Sequence, residues 1–320
     1  MILRKAVLAF VGTLVLLFCL GTAHAVNIPK NFGVYTINKS GTYVIKGTVT
    51  GQYIEIKSSA VNVTITGQGA NATFKGKKYG GKRSQSHIRG GPSGSLLIKD
   101  FKFQGKVGHN FMSLAGNASK TIQNLTVINN TKAGAGAINP GPNSMVKNCN
   151  ISPHDDAIKI TEKNSRAQNN SITMDGNGSA IQLGWGKRAD GAVHYATNTK
   201  IRGFLKHNKQ TDTGNNPGRS IIGGIFENNV SDIKITGLDI NMSSKHNGHY
   251  VKLKANGGNV TGVNIQGKIT NAVKVSPKIH PIALATAKGA KIRNITIDFK
   301  GKIKANQVYK DNGVINFKLK

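Results

Sequence analysis

The stretch Asn148-Cys149-Asn150-Ile151 returns one short unit later as Asn169-Asn170-Ser171-Ile172, and this repeat decides the fold. In both copies a polar residue is followed three positions later by an aliphatic residue. The same spacing, with Asn, Asp or Gly first and an aliphatic or aromatic residue last, also starts at Asn62, Asp100, Asn124, Asn198, Gly237, Gly262 and Asn294. Most neighbouring copies follow each other closely, and a few are separated by longer gaps. A short fixed unit with occasional insertions is typical of a solenoid.

Short alternating strands lie between the copies, with almost no helical periodicity. Tyr53-Ile54-Glu55-Ile56 and Ser95-Leu96-Leu97-Ile98 are examples, and Asn and Gly at the unit boundaries suit left-handed corners. We therefore predict an all-β protein, a right-handed parallel β-helix built as a single-stranded solenoid. It should span residues 26–320, with residues 26–51 as an N-terminal cap. A β-sandwich is the competing architecture, but it would need hairpin turns in place of one recurring strand type.

Residues 1–25 are typical of an export signal. Arg4 and Lys5 form a basic head, residues 6–20 are an apolar run, and Ala23-His24-Ala25 matches a cleavage site. The apolar run is too short for a comfortable bilayer span, and no later stretch is long and apolar enough. We predict a signal peptide and a secreted protein without a transmembrane segment.

The composition is strongly basic, with 44 Lys and Arg against 13 Asp and Glu and a formal net charge of +31. The cations are scattered along the chain. Such a surface can serve solubility alone, or it can attract a polyanion such as nucleic acid, an anionic cell envelope or an acidic polysaccharide. Removal of the leader would leave Cys149 as the one cysteine, so we expect no internal disulfide and a buried packing thiol.

Between the two copies of the repeat, Pro153-His154-Asp155-Asp156-Ala157-Ile158-Lys159-Ile160 places two adjacent carboxylates at the start of a short strand. Aligning the aliphatic residues of successive coils predicts the neighbours of this strand. The inward-facing set should include Ile138, Ile158, Ile160, Ile181 and Leu183. Lys159 and Gln182 should then lie one above the other on the outer side. The same register predicts one column of Asn110, Gly136, Asp156 and Ser179, and a second of His109, Ala135, Asp155 and Gly178.

Two adjacent carboxylates repel each other, so at least one of them tends to hold its proton. Glycoside hydrolysis uses this division, with one protonated acid for the leaving oxygen and one ionised base for the water. Asp155 and Asp156 are therefore candidate catalytic residues. They could equally cap a corner of the coil or pair with some of the many lysines.

Other polar residues on the same face are candidates for substrate binding. His154 either tunes the carboxylate pair or shapes the corner. Lys159 and Gln182 either bind sugar hydroxyls or are merely the outward residues of exposed strands. The register adds His109 and His249 to this face. The sequence contains no metal-ligand cluster and no phosphate-binding loop, so we expect neither a metal nor a cofactor.

The stretch from His154 to Ile160, followed by Ala180-Ile181-Gln182-Leu183-Gly184-Trp185, resembles the catalytic β-helix of glycoside hydrolase family 49, the dextranase and isopullulanase group. Pro142-Asn143-Ser144 and Ser220-Ile221-Ile222-Gly223 are similar as well, and the resemblance runs over residues 135–226. It implies inverting hydrolysis of α-linked glucans, with the acid role at Asp155 and a base role at Asp156.

Two departures from that family are visible. The family has a third catalytic Asp one coil earlier, and aligning Pro142-Asn143-Ser144 places Gly136 at that position. The family also carries a β-sandwich ahead of the helix, for which this chain has no room. Trp185, the one Trp, is either a sugar-stacking platform or a packing residue at a strand end.

Three functions remain open from the sequence. The first is a secreted glycosidase acting on a dextran-like polysaccharide, and the second is a non-catalytic protein that binds a polysaccharide or the cell envelope. The third is a polyanion binder driven by its positive charge. In each case we expect a monomer, with a polysaccharide or an anionic surface or polymer as the partner.

Overall fold

The computed structural model describes residues 25–77, 86–105, 110–129, 136–187, 194–206, 211–216, 219–271, 273 and 279–320. The signal-peptide prediction for residues 1–25 lies, except for Ala25, outside the described residues. The first strands are β1 Ala25–Asn27, β2 Asn31–Ile37, β3 Gly41–Ile56, β4 Asn62–Gly76, β5 Ile88–Gly90, β6 Ser95–Lys99, β7 Lys102–Gly105, β8 Asn110–Leu114, β9 Ser119–Gln123, β10 Thr126–Asn129, β11 Gly136–Asn139, β12 Ser144–Lys147 and β13 Asn150–Ser152. The later strands are β14 Ile158–Lys159, β15 Ser165–Gln168, β16 Ser171–Gly176, β17 Ser179–Gly186, β18 His194–Thr197, β19 Lys200–Leu205, β20 Ser220–Phe226, β21 Val230–Met242, β22 His249–Asn256, β23 Val260–Ile269, β24 Ile282–Ala287, β25 Ile292–Asp298, β26 Val308–Lys310 and β27 Val314–Leu319. A 3₁₀ turn at Ala305–Gln307 is the only helical element in the described ranges.

Each strand pairs in parallel with its counterpart one coil away, which gives three stacked faces. The first face contains β5, β8, β11, β14, β17, β20, β22 and β24. The second face contains β6, β9, β12, β15, β18 and the first half of β21. The third face contains β7, β10, β13, β16, β19 and the second half of β21. The predicted parallel β-solenoid is confirmed, and a sandwich of antiparallel hairpins is excluded for the described strands.

The interior is a stack of aliphatic side chains, as the alternation along the strands predicts. Ile138, Ile158, Ile160, Ile181 and Leu183 are all fully buried, which confirms the inward set. In the first face, Ile138 pairs with Ile158, which pairs with Ile181. Burial of each such side chain stabilises the fold by about 1.5–3 kcal/mol.

The corner residues of the repeat explain how the coils turn. Eight of its nine first positions have a left-handed backbone, with φ between 49° and 71°: Asp100, Asn124, Asn148, Asn169, Asn198, Gly237, Gly262 and Asn294. Asn62 differs, since it begins strand β4. Asn, Asp and Gly tolerate this conformation better than other residues, so the repeat marks the corners directly.

The predicted cap, residues 26–51, forms strands β1 and β2 and the first part of β3. All three join the parallel ladders, because β1 and β2 both pair with β3. The Phe32 ring lies 5.8 Å from the Phe74 ring between their centroids. These residues therefore build the first coil, and their role in closing this end of the solenoid stays a prediction.

The interior of the second face also contains polar groups. Four buried polar residues are in register on successive strands of this face: Lys120, Ser144, Ser165 and His194. Lys120 Nζ donates hydrogen bonds to the carbonyl oxygens of Gly116 (2.7 Å), Ala118 (3.2 Å) and Pro142 (2.7 Å). Burial lowers the pKa of Lys120 to about 8. The carbonyl oxygens replace the water that this ammonium group loses on folding.

Candidate active site

The two carboxylates lie where the chain enters strand β14 on the first face. The backbone N–H of Ala137 donates to the carbonyl oxygen of Asp156 at 2.8 Å, and the N–H of Ala157 donates to that of Ser179 at 2.8 Å. Gly136 pairs with Asn110 in the preceding coil. The structure therefore has the column of Asn110, Gly136, Asp156 and Ser179 that the register predicted.

Asp156 is buried and held by three donors. Its Oδ1 accepts a hydrogen bond from the backbone N–H of Ser179 at 2.8 Å, and its Oδ2 accepts one from Gln182 Nε2 at 2.8 Å. Lys159 Nζ forms an ion pair with Oδ2 at 3.2 Å. These contacts engage both carboxylate oxygens of Asp156 and fix the orientation of its side chain.

Asp155 is half-buried, and its surroundings favour the protonated carboxyl group. Burial, followed by the negative charge of Asp156, raises the pKa of Asp155 to about 6, although the positive charges of Lys159 and Arg219 oppose this rise. Asn177 Nδ2 donates weakly to its Oδ1 at 3.4 Å. At mildly acidic pH, Asp155 is therefore the protonated member of the pair, as a general acid must be.

Asn177 and Arg219 support Asp155 from the next two coils. Arg219 Nε donates to Asn177 Oδ1 at 3.1 Å, and its Nη1 donates to the carbonyl oxygen of Lys206 at 3.1 Å. Gly178 has φ of +72°, and a Cβ there would overlap the backbone of Asp155. The repeat pattern does not mark Asn177 as a site residue, although Asn177-Gly178 is an Asn-Gly pair typical of a corner and lies beside Asp155.

His154 turns toward the rim of the site. Its Nδ1 lies 3.3 Å from Asp175 Oδ2, and the Asp175 side chain is 59% exposed. His154 is thus tethered beside the carboxylate pair by a surface residue, and its predicted role in substrate binding stays a prediction.

Lys159 and Gln182 are neighbours on adjacent coils, as the register predicted. Both side chains are buried and both bind Asp156, so neither is merely an exposed outward residue. In this arrangement they position a carboxylate and neutralise part of its charge. Direct contact between these two side chains and a sugar stays a prediction.

His109, a third predicted substrate-binding residue of this face, lies outside the described residues. Two other predicted substrate-binding residues, His249 and Trp185, are not beside the carboxylate pair. His249 is in the column of Asp156 but three coils away, about 14 Å at the usual strand spacing. It is buried, and its Nδ1 is 2.8 Å from the carbonyl oxygen of His280. Trp185 is 46% exposed and lies near the far end of β17 from Ser179, about 20 Å along the strand.

A short segment, residues 211–216, covers the later coils of this face. Asp212 accepts hydrogen bonds from the backbone N–H of His280 at 2.9 Å and binds the His280 ring at 2.9 Å. Lys252 Nζ donates to the carbonyl oxygen of Thr211 at 2.7 Å. Burial lowers the pKa of Lys252 to about 8. The segment falls in the longest interval between repeat copies, which identifies it as an insertion that borders the first face.

Gly136 occupies the position where the resemblance implies a third Asp. Its φ is not in the left-handed region, so the backbone does not require glycine. A Cβ here would overlap Asn110 Oδ1 and would lie 3.3 Å from Lys159 Cε. Asn110 Oδ1 is buried and has no hydrogen-bond partner in the described part of the chain. Asn110 therefore fills the space that a side chain at residue 136 would need.

We expect Gly136→Asp alone to lower the free energy of unfolding by about 1–3 kcal/mol, because an added side chain overpacks this site. Combining it with Asn110→Ala should recover at least half of the loss, since the clash is removed. Urea denaturation of both single variants and the double variant gives the coupling energy. If the double variant loses as much unfolding free energy as the two single variants together, Asn110 does not clash with a side chain at residue 136.

In the described ranges, no group of three or more His, Cys, Asp or Glu side chains is placed to hold a metal ion. No helix in those ranges is long and apolar enough to cross a membrane. Cys149 is buried, and its burial raises the pKa of the thiol to about 11, in agreement with a packing role.

Comparison with known proteins supports the fold and leaves the family open. No family model matches the sequence, and no curated protein matches it. Among solved structures, the chain is similar to Dex49A from Penicillium minioluteum, with a TM-score of 0.68 and 13% sequence identity. The match covers 93% of this chain and 64% of Dex49A, so the chain spans less than two thirds of that structure. The chain therefore has a β-helical fold similar to that of Dex49A.

Proposed function

We propose that this protein hydrolyses an α-linked, dextran-like glucan with inversion, using Asp155 as the general acid and Asp156 to hold the attacking water. The observation that carries the proposal is the unequal environment of the two carboxylates. Burial and the neighbouring charge raise the pKa of Asp155 to about 6. Asp156, in contrast, is ion-paired with Lys159. Glycosidases need this separation into one proton donor and one ionised base.

The contacts of Asp156 leave it able to bind water. A carboxylate oxygen can accept two hydrogen bonds, and Oδ1 accepts one, from Ser179 N–H. A water bound at the second lone pair would lose its proton to Asp156 as it attacks the anomeric carbon. Asp155 would donate its proton to the departing oxygen on the other side of the scissile bond. In this scheme the other contacts of Asp156 fix its orientation.

Three observations favour a glycan as the substrate. The sequence of residues 154–160 and 180–185 is similar to the catalytic region of glycoside hydrolase family 49. The fold is similar to that of Dex49A. The first face presents the carboxyl groups of Asp155 and Asp156 and, farther along, the exposed Trp185 on which a sugar ring could stack. Export, implied by residues 1–25, would bring the protein to extracellular polysaccharides.

A second candidate function is glycan binding without hydrolysis. The position of the family's third catalytic Asp is Gly136, and Asn110 occupies the space beside it. Asp156 is also surrounded by three donors, which already occupy part of its capacity to accept a proton from water. Both features would slow proton abstraction from water while leaving the sugar-binding surface intact.

The test is release of reducing ends from dextran, pullulan and an acidic polysaccharide, combined with NMR detection of the product anomer. We expect β-anomeric product from dextran at pH 5. We also expect kcat/KM to fall up to tenfold per pH unit above about pH 6, because Asp155 must be protonated and its pKa is raised to about 6.

A rate that rises through pH 6 would contradict the assignment of Asp155 as the general acid. An α-anomeric product would contradict inversion and the water-holding role of Asp156. Binding of dextran in affinity electrophoresis without any reducing-end release would select the non-catalytic function. Absence of both hydrolysis and dextran binding would reject the proposed function altogether.

A further inference from the structure

We propose that the second face carries a binding site for an acidic polysaccharide whose sugars bear carboxylates, centred on Tyr195 between Arg166 and Lys234. This site is on a different face of the solenoid from Asp155 and Asp156. It does not depend on hydrolysis at the first face.

The proposed site is built by the parallel register of four strands. One row of successive strand partners on β12, β15, β18 and β21 consists of Met145, Arg166, Tyr195 and Lys234. A second row of partners lies two positions farther along the same strands and consists of Lys147, Gln168, Thr197 and Thr236. Neighbouring strands lie about 4.8 Å apart. The two rows thus present a ladder of mostly polar or charged groups to a ligand that runs along the solenoid axis.

A cavity of about 390 Å³ lies over these strands. Its lining residues are Met145, Arg166, Ala167, Gln168, Tyr195, Thr197 and Lys234. Ala167 is buried at the floor, whereas Arg166 and Lys234 are exposed on either side of Tyr195. The volume falls within the usual range for small-ligand sites, and an open groove of this shape suits part of a polymer.

The charge of the groove is positive and not neutralised internally. In the described ranges, Arg166, Lys234 and the neighbouring Lys147 form no ion pair with a carboxylate of this chain. The acidic residue nearest in sequence to Lys234 is Asp232, at the preceding corner. The Arg166 guanidinium carbon lies 5.5 Å from the centre of the Tyr195 ring. This cation–π contact orients the guanidinium group. Unpaired cations held on a rigid sheet attract an anionic ligand.

The chemistry of the lining residues favours an acidic polysaccharide over nucleic acid. Arg forms paired hydrogen bonds with a carboxylate, and Lys adds a point charge. Gln168 and Thr197 can bind sugar hydroxyls, while Tyr195 offers one ring for the apolar side of one sugar. Non-specific binding of single-stranded nucleic acid usually relies on several aromatic platforms for successive bases. Among the described residues that line this groove, Tyr195 is the one aromatic side chain.

The binding test uses polygalacturonate as the probe, with dextran and a single-stranded oligothymidylate as comparison ligands. Affinity is measured by titration calorimetry at low salt and at physiological salt. We expect Arg166→Gln/Lys234→Gln to weaken polygalacturonate binding at least tenfold and to reduce its salt dependence, because fewer counterions are released. Tyr195→Ala should weaken binding several-fold with little change in salt dependence.

The matched control is Lys75→Gln/Lys200→Gln, which removes the same charge from exposed lysines of the third face, where the end of β4 pairs with β7. It should bind polygalacturonate within about twofold of the wild type. All variants are compared by melting temperature, which should remain unchanged for the substitutions of exposed Arg and Lys residues. Equal weakening in the control and the groove variant would overturn the proposed site. Tighter binding of oligothymidylate than polygalacturonate through the same residues would also overturn it, in favour of nucleic acid. Loss of dextran hydrolysis or dextran binding bears only on the first face.

Discussion

Asp155→Asn should lower kcat on dextran by about 10²- to 10⁴-fold, the usual contribution of general acid–base catalysis. Asn has nearly the shape of Asp but has no proton to give to a departing oxygen. Its amide can still face Asn177, which donates to Asp155 at 3.4 Å in the wild type. KM should therefore change by less than a few-fold. Initial rates of reducing-end release at pH 5, with dextran varied around KM, separate the two effects.

Asp175→Asn is the matched control for this substitution. Asp175 is an exposed carboxylate that contacts His154 on the rim of the same site, so this variant makes the same chemical change nearby. We expect less than a threefold loss in its kcat. A retained kcat in Asp155→Asn, or an equal loss in both variants, would remove Asp155 from the role of general acid.

The fold was predictable because its signal is local and repeated. Each corner needs a residue that tolerates a left-handed backbone, and Asn169 or Asn198 marks such a corner without reference to the rest of the chain. The strand between corners alternates in and out, so aligning Ile158 with Ile181 fixes the register of whole coils. Parallel stacking then places distant residues beside one another at a known spacing.

The site was only partly predictable, because its contacts depend on where side chains leave the regular strand. The register put Lys159 beside Gln182, but their burial against Asp156 follows from the irregular entry into β14. Asn177 contributes from a corner, and Arg219 from the end of a long insertion. Neither corner side chains nor insertions follow the two-residue alternation, so their contacts could not be obtained from it.

The polar interior of the second face was not predictable from alternation either. Inward positions are expected to be apolar, yet Lys120 lies there with three backbone carbonyls as partners. These carbonyls belong to loops whose paths the repeat does not define. The positive charge of the sequence raised the possibility of a polyanion partner. Within the described ranges, Lys147, Arg166 and Lys234 carry part of this charge on the strands around Tyr195.

Asp156→Ala should lower the free energy of unfolding by about 3–5 kcal/mol, the usual loss when one member of a buried ion pair is removed. Without Asp156, the Lys159 ammonium group stays buried without a counterion, and Gln182 Nε2 loses its acceptor. This loss adds to any catalytic effect, so low activity in this variant does not by itself identify a base. Urea denaturation at pH 7, followed by circular dichroism, measures the loss of stability separately.

The double variant Asp156→Ala/Lys159→Met tests the cause of that loss. Met keeps most of the length of the Lys159 stem and removes its charge, so the double variant should be more stable than Asp156→Ala alone by at least about 1 kcal/mol, given the cost of an unpaired buried charge. Both variants lack the Asp156 carboxylate and should be equally inactive if it activates water. Recovery of stability without recovery of activity would therefore assign both roles to Asp156. A double variant no more stable than Asp156→Ala would show that Lys159 reaches solvent once its partner is gone. An active, stable double variant would show that the attacking water is held by another group.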